Sequence, residues 1–161
     1  MSDMDFTDKV VLVVGGSSGI GNGIAHAFRE RGAEVHVWGT RPTAEDYRDS
    51  PGSDLQGLHY AQMDVSNFDA IESYIPKFDR LDVLVQCQGI VRYNREEFKT
   101  GPFRHVVDVN LTSLMACGDR FHDMLKESQG SMIIISSLAA YGARIGNPAY
   151  AASKAGAVSL T

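Results

Sequence analysis

The chain has 161 residues, 43% of them apolar and 22% charged, with 16 glycines, and carries a net charge of −5. That is the make-up of a folded globular domain with a sizeable core, not of a disordered or fibrous chain, and no Lys/Arg run supplies the electrostatic footprint of a nucleic-acid binder. Residues 1–5, MSDMD, are acidic where a secretory leader is basic, and no apolar run approaches the ~20 residues that span a bilayer, so a cytoplasmic protein without membrane partners is expected.

Elements alternate along the chain. Lys9 to Val14 is a continuous β-branched run, suited to a strand buried on both faces of a parallel sheet. Apolar Ile20, Ile24, Ala27 and Phe28 follow at helical spacing, and Gly32 ends that helix. Val35 to Trp38 is a second strand, after which residues 40–56, rich in Pro, Asp, Ser and Gly, form a polar stretch with room for a short helix. Leu58 to Val65 is a third strand, and residues 66–69 form an N-cap for a helix reaching about Lys77. Leu81 to Gln86 is the fourth strand. A helical stretch with a break near Gly101-Pro102 runs to Leu125, and Ser131 to Ser136 is the fifth strand. Strict alternation predicts an α/β fold, a doubly wound sheet with five parallel strands joined by right-handed crossovers, with ligands bound beyond the strands' carboxyl ends.

Those carboxyl ends hold the unusual residues. After strand one comes Gly15-Gly16-Ser17-Ser18-Gly19-Ile20-Gly21, opening directly into a helix. Glycines there let backbone N–H groups approach a pyrophosphate, and the helix N-terminus adds partial positive charge. A P-loop needs G-K-[ST] after its second glycine, and Ile20-Gly21 stands there instead, which excludes an ATPase or GTPase of that type. After strand two, Gly39-Thr40-Arg41 lacks the acidic residue that holds the 2′-hydroxyl of NAD; Arg41 could pair with a 2′-phosphate, which favours NADP over NAD. It could equally be a solvated loop arginine or stack on the adenine. Asp64-Val65 after strand three could meet the adenine, or Asp64 could only cap the following turn.

Tyr150 and Lys154 lie four residues apart, hence on one helical face, with Ser137 thirteen residues upstream of the tyrosine. A phenol, with an ordinary pKa of about 10, is a poor acid–base group near neutrality, and a neighbouring cation favours its ionised form. Such a spacing also arises by chance. Cys87 and Cys117 lack C-x-x-C spacing and read as packed thiols, and the five histidines show no metal-binding pattern.

In combination, the Gly15–Gly21 loop, Asp64-Val65, Val109-Asn110-Leu111, Ser136-Ser137 and Tyr150-Ala-Ala-Ser-Lys154 resemble the short-chain dehydrogenase/reductase family, and the turn at Arg41 is similar to that of its 3-oxoacyl-carrier-protein reductases. The resemblance implies a Rossmann-type sheet in the order 3-2-1-4-5, one dinucleotide-binding domain over residues 1–161, and hydride transfer between NADP or NAD and a small carbonyl or alcohol substrate. It implies that Ser137 binds the substrate oxygen, Tyr150 is the acid–base catalyst, Lys154 holds the nicotinamide ribose, and Asn110 orders a water beside the lysine. Gly15, Ser17, Ser18, Gly19, Ile20, Gly21, Arg41, Asp64, Val65, Cys87, Gly89, Tyr150 and Lys154 are the implied cofactor contacts, and a homotetramer or homodimer is the implied assembly. Alone, Ser137 could be an ordinary turn residue and Asn110 could merely satisfy backbone groups. Gln86-Cys87-Gln88-Gly89 departs from the usual Asn-Asn-Ala-Gly, and Val14 replaces a usual threonine; the longer amides put the rigidity of the sheet centre in question. Members usually continue well beyond the catalytic helix. The chain therefore reads as the first part of a longer polypeptide, with a sheet edge and an apolar helix face left bare.

Overall fold

The computed structural model describes residues 4–161. Strands β1 (Val10–Val14), β2 (Glu34–Gly39), β3 (His59–Gln62), β4 (Val83–Gln86) and β5 (Ser131–Ile134) form one sheet in the order β3-β2-β1-β4-β5. Every neighbouring pair is parallel, with Leu12 opposite His36 on one side and Leu84 on the other. This is the expected Rossmann-type order. Side chains alternate across the pleat, so β1 to β4 each feed two cores. Leu12, Val14, Trp38 and Leu84 pack with Ile71 and Phe121, while Val11, Val13, Val35, Val37 and Val85 pack with Ala25. Double burial explains why the central strands are unbroken apolar runs.

The helices are α1 (Gly19–Arg29), α2 (Phe68–Glu72), α3 (Thr100–Val107), α4 (Ser113–Ser128) and α5 (Pro148–Ser159). Asn67 caps α2 as expected, accepting from Ala70 N–H at 3.1 Å, but α2 stops at Glu72 instead of Lys77. Pro76 accounts for the early stop, since proline disfavours helical backbone at the residue before it. Gly101-Pro102 does not break a helix. It lies in the first turn of α3, where the missing N–H of a proline costs nothing because the first four have no intrahelical partner. The real irregularity is a π turn, Asp108–Thr112, between α3 and α4. In residues 40–56 a single 3-10 turn, Ala44–Tyr47, forms, with the Asp46 carboxylate accepting from Thr43 N–H at 2.8 Å.

Strand β3 is shorter than the sequence suggested, and β5 is an edge strand whose Met132 and Ile133 remain 46% and 40% exposed. Val158 and Leu160 at the end of α5 are also exposed, at 37% and 41%. No helix among the described residues is long and apolar enough to cross a membrane.

Candidate active site

A cleft of about 630 Å³ opens over the carboxyl ends of the strands, with the turn after β1 on one wall and the start of α5 on the other. The β1 turn is compact because no side chain stands at its tightest positions. Gly15 has φ +74°, and a Cβ there would stand 2.9 Å from Gln88 N; at Gly21 a Cβ would stand 2.2 Å from the Gly15 carbonyl oxygen. Ser17 is buried beside Gly39, and Ser18, at the N-cap position of α1, makes no capping bond with its side chain. Gly15, Ser17, Ser18, Ile20 and Gly21 all line the cleft. Gly19 does not, and its N–H is taken by the Gly52 carbonyl at 2.7 Å.

At the end of β2, Arg41 lines the cleft and is held there from several sides. Its guanidinium donates to the Asp46 carbonyl and to Ser50 Oγ and lies 4.5 Å above the Tyr47 ring. The Tyr47 hydroxyl accepts from Thr40 N–H at 3.0 Å and Arg41 N–H at 3.2 Å, and Tyr60 donates to the Arg41 carbonyl. Tyr47 also lines the cleft, a role that sequence reading missed. Its only local sign is an aromatic residue inside a polar stretch. Of the pair after β3, Val65 lines the cleft. Asp64 accepts from Ser66 N–H at 2.9 Å and Ser66 Oγ at 2.7 Å, and those bonds hold its carboxyl below the usual range. Its carboxylate thus caps the turn, and Asp64 is not among the residues that line the cleft.

The opposite wall rests on buried polar side chains. Lys154 is only 5% exposed. Its ammonium donates to the Ile135 carbonyl at 2.8 Å and lies 5.9 Å from the centre of the Tyr150 ring. Burial pushes its pKa below the ordinary lysine value, partly offset by Cys87. Cys87 lines the cleft, and burial raises its thiol pKa against the pull of Lys154. A Cβ on Gly89 would lie 3.6 Å from both Lys154 Nζ and Asn110 Oδ1.

Asn110, fully buried in the π turn, brackets the residue after Gly89. Its Oδ1 accepts from Ile90 N–H at 2.7 Å, and its Nδ2 donates to the Ile90 carbonyl at 2.9 Å and to Ser153 Oγ at 3.2 Å. The extra residue of a π turn is what swings such a side chain out of the regular helical ladder. The amides after β4 also find partners. Gln86 Nε2 donates to the Leu114 carbonyl at 3.1 Å, and Gln88 Nε2 donates to Ser113 Oγ at 3.0 Å and to Gln86 Oε1 at 3.2 Å. The longer side chains thus tie β4 to the start of α4. Gln88 Oε1 is buried without a partner.

Ser137 does not line the cleft. It begins the 3-10 turn Leu138–Tyr141, its oxygen accepting from Ala139 N–H at 3.1 Å, which leaves its own proton to donate. Ser136 does line the cleft, donating to the Lys154 carbonyl at 2.9 Å.

The order of motifs along the chain, the sheet and the lysine–tyrosine pair over one cleft converge with the match of residues 9–161 to the family described as short chain dehydrogenase. The chain belongs to the short chain dehydrogenase family. It is 34% identical, over 99% of its length, to a 3-oxoacyl-[acyl-carrier-protein] reductase of Chlamydia pneumoniae, covering 67% of that protein. A cis-4-hydroxycyclohexanecarboxylate dehydrogenase of Sinomonas cyclohexanicum is 28% identical over 97% of the chain, which covers 66% of it. Among solved structures, Thermoplasma acidophilum aldohexose dehydrogenase superposes with a TM-score of 0.79 at 28% identity, over 97% of this chain and 60% of that one. A Beutenbergia cavernae protein, described as a candidate NAD(P)-dependent gluconate 5-dehydrogenase and solved with bound NADP, gives 0.80 at 29% identity, over 98% of this chain and 65% of that one. The chain spans about two thirds of the length of these relatives.

The strand register also gathers Glu34, His36 and His59, with ligand atoms within 4.8 Å of one another, at the end of β2 and β3 away from the cleft. Sequence spacing gave no hint of this grouping, because residues 36 and 59 meet only through strand pairing. His36 Nε2 is bonded to Glu34 at 2.7 Å, and its ring stacks on His59.

Proposed function

We propose that the protein carrying this chain is an NAD(P)-dependent oxidoreductase interconverting a ketone and a secondary alcohol, with Tyr150 as the acid–base group. The observation that carries the reading is the dehydrated Lys154 ammonium held within 5.9 Å of the Tyr150 ring at the cleft wall. A dinucleotide fits the residues present. The glycine cradle that a Cβ would fill at Gly15 and Gly21 admits a pyrophosphate, the start of α1 adds favourable partial charge, and Lys154 would hold ribose hydroxyls. When bound, that cofactor supplies or accepts the hydride. As a carbonyl is reduced, its oxygen gathers negative charge; Ser137, next to the cleft-lining Ser136 and with its own proton left to donate, would give it a hydrogen bond, and Tyr150 would deliver a proton. Lys154 stabilises the phenolate that results.

Arg41, held at the cleft rim by the Asp46 carbonyl and Ser50 Oγ and near enough to the Asp46 carboxyl to add to the Thr43 bonds that lower its pKa, supports NADP over NAD, since a guanidinium pairs well with a 2′-phosphate. The two thiols, Cys87 and Cys117, are unpaired, which accords with a reducing, cytoplasmic setting; a homodimer or homotetramer completes the reading. The test follows NADPH and NADH oxidation against a ketone panel that includes 3-oxoacyl thioesters, with wild type, Tyr150→Phe and Arg41→Ala compared. Tyr150→Phe should lower kcat by about 10²-fold or more. Arg41→Ala should weaken NADPH binding about tenfold and leave NADH binding unchanged. Cofactor binding with no turnover of any carbonyl or alcohol would instead mark a dinucleotide-binding module, and a wild-type rate in Tyr150→Phe would sink the mechanism.

A further inference from the structure

Glu97 is a carboxylate with no exposed surface, in the one-turn helix Glu96–Phe98. A carboxylate is kept away from water only where donors replace its hydration. Two backbone groups do so. Arg92 N–H donates to Oε1 at 2.9 Å, and Tyr150 N–H donates to Oε2 at 2.9 Å. Tyr150 is the third residue of α5, so its N–H is one of those that no carbonyl within the helix can reach. Asn147, at the N-cap position, makes no capping bond and instead donates through Nδ2 to the Arg92 carbonyl at 2.9 Å. Glu97 therefore caps α5 from 53 residues away, and its charge sits at the favourable end of the helix dipole. Together with Asn147 it clamps Arg92 to the first turn of α5. Asn110 pins the same segment at Ile90, and Ile90 and Val91 line the cleft.

We infer that Glu97 is a positioning residue for Tyr150, an inference that rests on Tyr150 being the acid–base group. Helix ends fray, and Tyr150 lies in the terminal turn. Lys154 lies one turn further in and has its own anchor on the Ile135 carbonyl. Release of Glu97 thus loosens the tyrosine against the cleft lip while the lysine and the glycine cradle stay in place. Loss should fall on proton transfer and spare cofactor binding.

The test is Glu97→Gln in the full protein, measured beside Tyr150→Phe. The amide keeps the volume but turns an NH2 group toward one of the two N–H donors. Expected are full NADPH stoichiometry, an unchanged KM for the ketone, kcat lowered about tenfold, and a larger solvent deuterium isotope effect than wild type. A wild-type kcat per bound cofactor overturns the inference. So does a kcat that falls only in step with bound NADPH, because Glu97 would then serve folding alone. If Tyr150→Phe keeps the wild-type rate, the acid–base reading has failed, and that outcome is separate from the Glu97 result. Should Glu97→Gln not fold, amide exchange in the wild-type protein decides: slow exchange at Tyr150 N–H supports the cap, and exchange as fast as at an uncapped helix end overturns it.

Discussion

The cleft wall formed by the turn after β1 is shaped by close backbone packing at its glycines, whereas the wall formed by β4, the π turn and α5 rests on buried polar side chains. Gly15 and Gly21 leave no room for a Cβ. Across the cleft, Gln86, Gln88, Asn110, Ser113, Ser153 and Lys154 are all buried, and each makes a hydrogen bond with its side chain. The two walls should fail in opposite ways. The first is damaged by an added atom, the second by a lost partner.

The largest effect should come from adding an atom to the backbone wall. Gly21→Ala sets a methyl 2.2 Å from the Gly15 carbonyl oxygen, so the turn itself must move. Dinucleotide affinity should fall about 10²-fold or more, read by fluorescence titration, because the close approach of backbone to pyrophosphate is lost. Wild-type affinity in this variant would show that the turn is not the binding surface. On the other wall, Asn110→Leu keeps the bulk but strips Ile90 of both backbone partners. Urea unfolding should show a loss of about 2 to 4 kcal/mol, from two newly unpaired backbone groups. A loss under about 0.5 kcal/mol, the size expected of an ordinary surface change, would mean that the bracket is idle.

The smallest effect lies outside both walls, where Asp82 joins Lys9, Arg80 and Val10 N–H at the start of β4. Burial pushes the Asp82 carboxyl up, but the Arg80 bond, the Val10 N–H and Lys9 outweigh it and hold the pKa at about 2. An unfolded aspartate titrates near 3.9, so this stabilisation is complete above about pH 4 and is lost as pH falls through 2. Asp82→Asn should be less stable than wild type at neutral pH, and its stability should vary less between pH 4 and 2. Parallel curves for the two proteins would remove Asp82 from the acid response.

How far the sequence could be read follows from how local each feature is. The central strands were legible because a strand buried on both faces needs an unbroken apolar run, and the glycine turn was legible because its chemistry lies within seven residues. Tyr150 and Lys154 are one helical turn apart and were equally plain. Helix α2 is shorter than the capping signal at Asn67 suggests because Pro76 follows so soon after it. The Gly101-Pro102 pair suggests a break because a proline in a first turn and a proline in a helix interior look alike in one dimension. Glu97 and Tyr47 were invisible for another reason: their partners are chosen by the fold. Glu97 in a charged stretch looks like any solvated glutamate until α5 is laid against it.

Lys154 illustrates what burial does to a charged group before any ligand arrives. An ammonium has three donors, and among the described residues the side chain has one acceptor, the Ile135 carbonyl. Folding has already stripped water from this cation, which is why its proton is held less tightly than in an ordinary lysine. Among the described residues, no protein acceptor beyond the Ile135 carbonyl occupies the donors that a hydroxyl group reaching it from the cleft would meet. The lysine is buried in advance, and the cost of burying it is borne by the stability of the fold rather than by the affinity for the ligand.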